Sequence, residues 1–554
     1  MAGNSVGSGE RTRLRRRSFL TRAGALGGAG LAGCLSFDSA TTDGPAAELI
    51  EEGFAAADIE PPFETTIAIT QDEERNRFAQ LFQSELDGTG LFDVEIESRD
   101  FGSHVEAMLS AADTEENAIF VSSLTGGWDP SNYVTMLFHS ENRTPNGLNV
   151  GHYENETVDE CIDAGLTETD PDERVEIYRT LQKELVADSP ASFVRFREAT
   201  HVWDGDVVND WQTYPLQPGS YYAVYAPWAG VYTDLEDETE FIGDLGSDVT
   251  NYDPVEINGV VSSQATALVY EQLVGVDFDG EVQPMLATDW EQRNATTYRF
   301  SLREGVQFHN GEELAADHVK HSFERYEGTT RESDVYDWYE SSTIIDEHTI
   351  EINCWREYGP FETALFNVSI VPLAAIDGEG EDDHDHDLQT KPIGTGPYRF
   401  VEHESGSHWR LRRFDDHWFA GDETVPATPP IETVTLEIIT EQSSRQAALE
   451  RGDLHFSYNL PSASLSDFEE NDDYGVGRRV SGGFDMIFYP CYLPPFSEPS
   501  VRRGCNMLVP RERTLETVYH GIGQLAYTPI SPLLEDYAGE SFQESIANEY
   551  VRPN

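Results

Sequence analysis

The chain has 554 residues and carries 102 Asp+Glu against 36 Lys+Arg, a formal net charge of −66. That excludes a nucleic-acid binder working through a general basic face, because a phosphate backbone would be repelled. It does not exclude a folded protein, since hydrophobic residues make up 38% and aromatics 11%, enough for a large core.

Lys183, Lys320 and Lys391 are the only lysines. An acid-coated, Lys-poor surface suits multimolar salt, where carboxylates hold water and cations and their repulsion is screened within about 3 Å at 1 M. The composition is read as that of a halophilic archaeon's protein and as silent about ligand.

The N-terminus reads as an address. Arg11–Arg17 is a basic run, Ala23–Gly33 is a short Ala, Gly and Leu stretch, and Leu31-Ala32-Gly33-Cys34 follows. The apolar part falls short of the ~20 residues a membrane span needs, so the order reads as an export signal. Arg16-Arg17-Ser18-Phe19-Leu20 resembles a twin-arginine signal, and Leu31–Cys34 resembles a lipobox with Cys34 lipidated. Residues 1–34 are then the signal and 35–45 a linker, with the chain tethered outside the cell membrane.

Strands are expected at Thr65–Thr70, Val94–Glu97, Ile119–Val121, Tyr298–Leu302 and Thr433–Ile439. Helices are expected at Glu73–Leu86, Pro171–Val186, Ala315–Tyr326 and Ser443–Glu450. Asp170-Pro171-Asp172-Glu173 is a good helix start, with a capping Asp, Pro in the first turn and acids at the positive dipole end. The alternation implies α/β lobes. Four cysteines besides Cys34 fit no CxxC spacing. Four inert buried thiols are expected, Cys491–Cys505 being the one bridge worth naming.

Asn251–Pro254 followed by Val269–Gly275 resembles the opening of the family 5 solute-binding proteins, the peptide- and nickel-type receptors of ABC importers. Leu286–Trp290, Tyr298–Tyr326, Lys391–Phe400 (KPIGTGPYRF), Arg445–Asp453 and Val501–Gly521 resemble further motifs of that family, in its order. Its usual final third stands in front instead. Ala46–Phe63, Thr65–Arg99, Phe120–Ser140, Tyr153–Pro190 and Ala191–Val207 resemble the family's late segments.

The resemblance implies a two-lobed α/β binding-protein fold, of the periplasmic class II (cluster C) type, circularly permuted and closing by a hinge. Residues 46–200 and 485–554 would form lobe two and residues 201–484 lobe one, with Ala229–Glu240 joining the family's native ends. Termini that lie close together make such a permutation tolerable.

Carried over residue by residue, the resemblance names a ligand cleft. Gly127 stands where dipeptide-binding relatives carry an ammonium-pairing Asp. Either Asp129 takes that role or no free N-terminus is anchored. Trp128 offers an aromatic face, and Phe101 falls where relatives place a Trp, with a core aromatic as its plain alternative. Arg75 and Arg77 open a helix that supplies relatives with a carboxylate-binding Arg, Arg77 being the better match. Asn258, Gly259 and Val260 fall on a cleft-lining loop, and Asp129 and Asn258 are expected to face each other across the cleft. Tyr270 is read as packing.

His384 and His386 in the acidic loop 377–387 could hold a divalent metal, but a solvated loop is the simpler reading, and no metal or cofactor is called. No GxSxG, HExxH or P-loop stands in its required context, so no enzyme is expected. The partners implied are a peptide, ABC permease subunits and the membrane, without nucleic acid, for a monomeric receptor. Alternatives are a nickel chelate or oligosaccharide receptor and, further off, a lipid-anchored hydrolase.

Overall fold

A computed structural model describes residues 44–145, 147–377 and 387–552. Arg16, Arg17, Cys34, His384 and His386 lie outside them. In chain order the first elements are α1 (Pro45–Ala56), β1 (Phe63–Thr70), α2 (Glu73–Gly88), β2 (Phe92–Arg99), α3 (Phe101–Thr114) and β3 (Ala118–Leu124). They continue with α4 (Ser131–Phe138), α5 (Glu156–Thr167), α6 (Pro171–Asp188) and β4 (Ala191–Asp204).

Ile67, Ala68, Ile69 and Thr70 are consecutive and all buried, the pattern of a strand covered on both faces. β1 accordingly sits between β2 and β3, parallel to both. α2 starts at Asp72, whose carboxylate accepts the Arg75 amide at 2.7 Å. α6 starts at Asp170, which accepts the Asp172 and Glu173 amides, and Pro171 opens its first turn. Each such cap stabilises its helix by about 1 kcal/mol.

The sheet is completed from the far end of the sequence. The strand Tyr474–Phe488 runs antiparallel between β3 and β4, Phe456–Tyr458 pairs with the outer side of β4, and Gln524–Leu525 also pairs with β4. One core on this sheet joins Ile50 and Phe54 of α1 with Phe78, Phe82, Val501 and Cys505. α1 and the turn 547–551 both pack on the helix Pro499–Leu508. Burying a side chain such as Phe54 contributes about 1.5–3 kcal/mol.

A second body holds two four-stranded sheets. One orders Ala287–Asn294, Thr297–Leu302, Thr349–Cys354 and Tyr339–Asp346, over a core of Phe300, Phe323, Trp338 and Tyr339. The other orders Tyr398–Glu404, His408–Arg413, Thr433–Ile438 and Glu240–Leu245, the last two parallel. Its core gathers Trp211, Tyr221, Phe241, Trp409 and Phe456. The protein is thus a two-lobed α/β molecule.

The chain passes between the lobes along β4 and back along Tyr474–Phe488, two strands that form one antiparallel ladder. The register slips between Val480 and Phe484, so Ser481-Gly482-Gly483 bulges opposite Arg197. Ser481 Oγ donates to the Arg197 carbonyl (3.0 Å) and accepts the Gly483 amide (3.1 Å), while Ser531 Oγ donates to the Ser481 carbonyl (2.6 Å). Gly126 has φ +78° and lies flat on this bulge, where a Cβ would collide with the Gly482 backbone. Among the described residues no helix is long and apolar enough to cross a membrane.

Candidate functional site

The parallel strands β1 and β3 end at Thr70 and Leu124, and open α/β sheets bind ligands beyond their strands' carboxyl ends. There the two lobes leave a cavity of ≈ 540 Å³. Lobe two supplies Asp72–Glu74 and Arg77 at the start of α2, Arg195 and Arg197 on β4, and His520. Lobe one supplies Thr440–Ser443 and Asn459–Ala463. A smaller pocket, sharing Arg197, Glu198 and Asn459, extends it to Leu124, Thr125, Ser481 and Gly483 on the bulge.

Two polar systems shape the walls. On the lobe-two side Asp485 is buried and accepts Ser123 Oγ at 2.6 Å and Arg195 Nε at 2.5 Å. Ser123 also accepts Arg75 Nη2 at 2.7 Å, and Arg195 lies over the Tyr519 ring. Asp485 stays below the usual carboxylate range because Arg195 and Arg197 outweigh the effect of burial. Glu74 is raised, chiefly by burial, although Arg195 and the Ser462 hydroxyl oppose it.

On the lobe-one side Asn459 is left-handed, φ +49°, a strained conformation that clusters at functional sites. Its amide N–H donates to the Thr200 carbonyl of β4 (2.9 Å), and its carbonyl accepts Gln442 (2.9 Å) and Arg445 (3.4 Å). The backbone is pinned from both lobes, and Asn459 borders both cavities.

The residues named from the sequence are scattered. Arg77 reaches the cleft rim but pairs with Glu73 one turn earlier, at 2.5 Å. Arg75, the weaker candidate, points inward to Thr70 and Ser123. Asp129 is corrected: it is 7% exposed and grips Arg174 of α6 with both oxygens, at 2.8 Å each, so it neither faces the cleft nor opposes Asn258. Trp128 enters the lobe-one core, donating Nε1–H to Tyr214 Oη at 3.0 Å, and also borders another interlobe cavity of ≈ 1120 Å³ with Asp279, Arg479 and Tyr537.

A Cβ at Gly127 would meet the side-chain amide of Asn132, the movable end of an exposed residue. Phe101 is 74% exposed at the first turn of α3, so its core reading is wrong. Asn258 is exposed, Gly259 precedes the helix Val260–Thr266, and none of Asn258, Gly259 and Val260 borders the cavity. Tyr270 is buried and donates to the Tyr252 carbonyl (2.9 Å), as packing requires. Cys354 and Cys505 are buried, Cys161 and Cys491 only partly, and all four are free.

Arg195, Arg197, Asn459 and Ser481 were missed. The hydrophobic run of β4 interrupted by two arginines at i and i+2 was the available signal, because alternate strand residues share a face.

Residues 281–550 match the family described as bacterial extracellular solute-binding proteins, family 5 middle. A glutathione-binding protein GsiB from Pectobacterium atrosepticum is 25% identical over 300 residues, 53% of this chain and 56% of that one. The chain spans about half the length of the curated relatives it matches. Among solved structures, DppA from Helicobacter pylori in complex with the peptide STSA gives a TM-score of 0.38 at 24% identity, over 42% of this chain and 49% of that one. The oligopeptide-binding AppA from Bacillus subtilis, in complex with a nonapeptide, gives 0.37 at 24% identity, over 42% and 46%.

Proposed function

Starting from a chain that belongs to the extracellular solute-binding proteins of family 5, we propose that it is the receptor of an ABC importer that closes its two lobes on a peptide. Members of that family are transport receptors, not enzymes. The observation that carries the reading is the cleft at the hinge ladder, where polar groups of both lobes converge on a space of ≈ 540 Å³, the size of a small-solute pocket. Asn459, tied by its amide to β4 of the other lobe, is the contact through which closure would sense an occupant.

Because Asp129 is committed to Arg174, the proposed site anchors no free N-terminus through that residue. We further propose export by the twin-arginine route, anchoring through Cys34 outside the cell membrane, and a multimolar-salt medium. A monomer that hands its solute to a membrane permease completes the reading. The test is a thermal-shift screen in multimolar KCl against pooled di- to pentapeptides, nickel–histidine and oligosaccharides. A raised melting point with peptide pools alone supports it, since a ligand of the native state stabilises by mass action. A response confined to another pool replaces the solute class. Retention of full stability in millimolar KCl would reject the salt assignment.

We also propose that the chain is a circular permutant of its family. What supports this is that α1 packs on the helix Pro499–Leu508 and β3 pairs with Phe484–Phe488, across almost the whole sequence.

A further inference from the structure

The acceptor pattern for an N-linked sugar, Asn-x-Ser/Thr with x other than Pro, stands at Asn142, Asn155, Asn294 and Asn367. The structure separates one of them from the rest. Asn142 donates Nδ2–H to the Thr135 carbonyl at 2.8 Å, and Thr144 is buried with its hydroxyl bonded to His152. Asn155 caps α5 through its side-chain oxygen and donates Nδ2–H to Asp188 at 2.8 Å. Asn367 is exposed, but Val368 beside it is buried and the Ser369 hydroxyl accepts Gln272 at 3.4 Å. None of these offers a free amide and an open tripeptide together.

Asn294 does. It ends the strand Ala287–Asn294, and the turn Ala295-Thr296 leads back into Thr297–Leu302. Asn294 and Ala295 are exposed and Thr296 is half-buried. Asn294 Oδ1 accepts the Thr296 amide at 3.0 Å and the Thr296 hydroxyl at 3.4 Å, an Asx turn. The carbonyl end of the side chain is thereby fixed, while among the described residues Nδ2 donates no hydrogen bond. The Thr296 carbonyl accepts the Cys354 amide at 2.8 Å, which ties the tip to the neighbouring strand and sets the exposed Trp355 next in the chain. Residues 294–296 border none of the interlobe cavities.

We propose that Asn294 is an N-glycosylation site that takes an oligosaccharide from a lipid-phosphate carrier. This rests on the export reading above. A chain exported already folded must offer its acceptor on the finished surface, and a hairpin tip does so. In the step, Asn294 Nδ2 bonds to the anomeric carbon of the carried sugar. The bond from that carbon to the phosphate oxygen breaks, the lipid phosphate leaves with the electron pair, and the proton displaced from Nδ2 passes to a base of the transferase. Nothing is oxidised or reduced.

The test is peptide mapping by mass spectrometry of the full chain, expressed in a halophilic archaeal host whose own surface proteins are glycosylated. Surface display is read in parallel by protease treatment of intact cells. The expected result is displayed protein with sugar masses on the Asn294 peptide and none on the peptides of Asn142, Asn155 and Asn367. Asn294→Gln and Thr296→Ala should lose the sugar and Thr296→Ser should keep it, all three melting cooperatively so that misfolding is not read as a lost acceptor. Displayed protein with a bare Asn294 overturns the site and leaves export standing. Protein retained inside and bare overturns both. Sugar on another asparagine instead, or sugar that survives in Asn294→Gln or Thr296→Ala, also overturns it.

Discussion

Asp129 and Arg174 show how a side chain that looks like a ligand contact becomes structural. Both are buried, Asp129 also caps the start of α4 through Ser131, and Arg174 additionally donates to the Gly165 carbonyl at the end of α5. Removing one partner strands the other charge in the interior. Arg174→Ala should therefore cost about 3–5 kcal/mol in a denaturant melt, and a loss under about 1 kcal/mol would reject the pairing. The buried His201 makes a second case. Its Nδ1 accepts Trp211 Nε1–H at 3.1 Å, and burial pushes the ring down to about 3 from an ordinary 6.5. As pH falls, the unfolded chain takes up this proton first. The stability His201 contributes is complete above about pH 6.5 and drains away toward pH 3. Asn at 201 keeps the acceptor without the titration, so the stability gap between wild type and His201→Asn should shift against the wild type across that window. Parallel curves would refute it. None of this was legible in the sequence: Asp129 and Arg174 lie 45 residues apart.

Helices and strands were far more readable than their contacts. The expected helix Pro171–Val186 is observed as Pro171–Asp188, because Asp170, Pro171 and the two acids act locally. The expected strands at Thr65, Ile119 and Thr433 are found at Phe63–Thr70, Ala118–Leu124 and Thr433–Ile438. What the sequence hid is the bulge Ser481–Gly483, a non-local feature set by its pairing with β4 and by the flat approach of Gly126. Gly126→Ala needs both a left-handed alanine and room taken by Gly482. It should destabilise by more than about 1 kcal/mol and loosen the ladder, read as faster hydrogen exchange of the Gly483 amide. A neutral substitution would mean that the two glycines do not touch in solution.

The lobes are stitched together by contacts beyond the ladder: Trp128 in the lobe-one core, the Gly359 amide donating to the Leu166 carbonyl at 2.8 Å, and Arg479 paired with Asp279 at 2.7 Å. If the chain is a permutant, its order of segments is dispensable. A variant opened between Ala229 and Glu240, with residue 552 tied to Pro45 by a flexible linker, should melt at the wild-type temperature and give the same ligand response. Failure to fold, with the linker varied in length, would count against permutation.

The completion of one sheet from both chain ends also sets a timetable for synthesis. Ser123 meets Asp485 across 362 residues, so β3 leaves the ribosome long before the strand that covers its edge. Until residue 488 emerges, that edge is exposed and open to wrong partners. Meanwhile the second body, whose core draws only on residues up to Tyr458, can form before that strand emerges. Lobe two is therefore the last part to become native, although its first helix is made early. A machine that threads the chain outward as it is made would pull that early half away from the partner it waits for. One that accepts finished folds, the route the Arg16–Arg17 pair would address, lets the ends meet before departure.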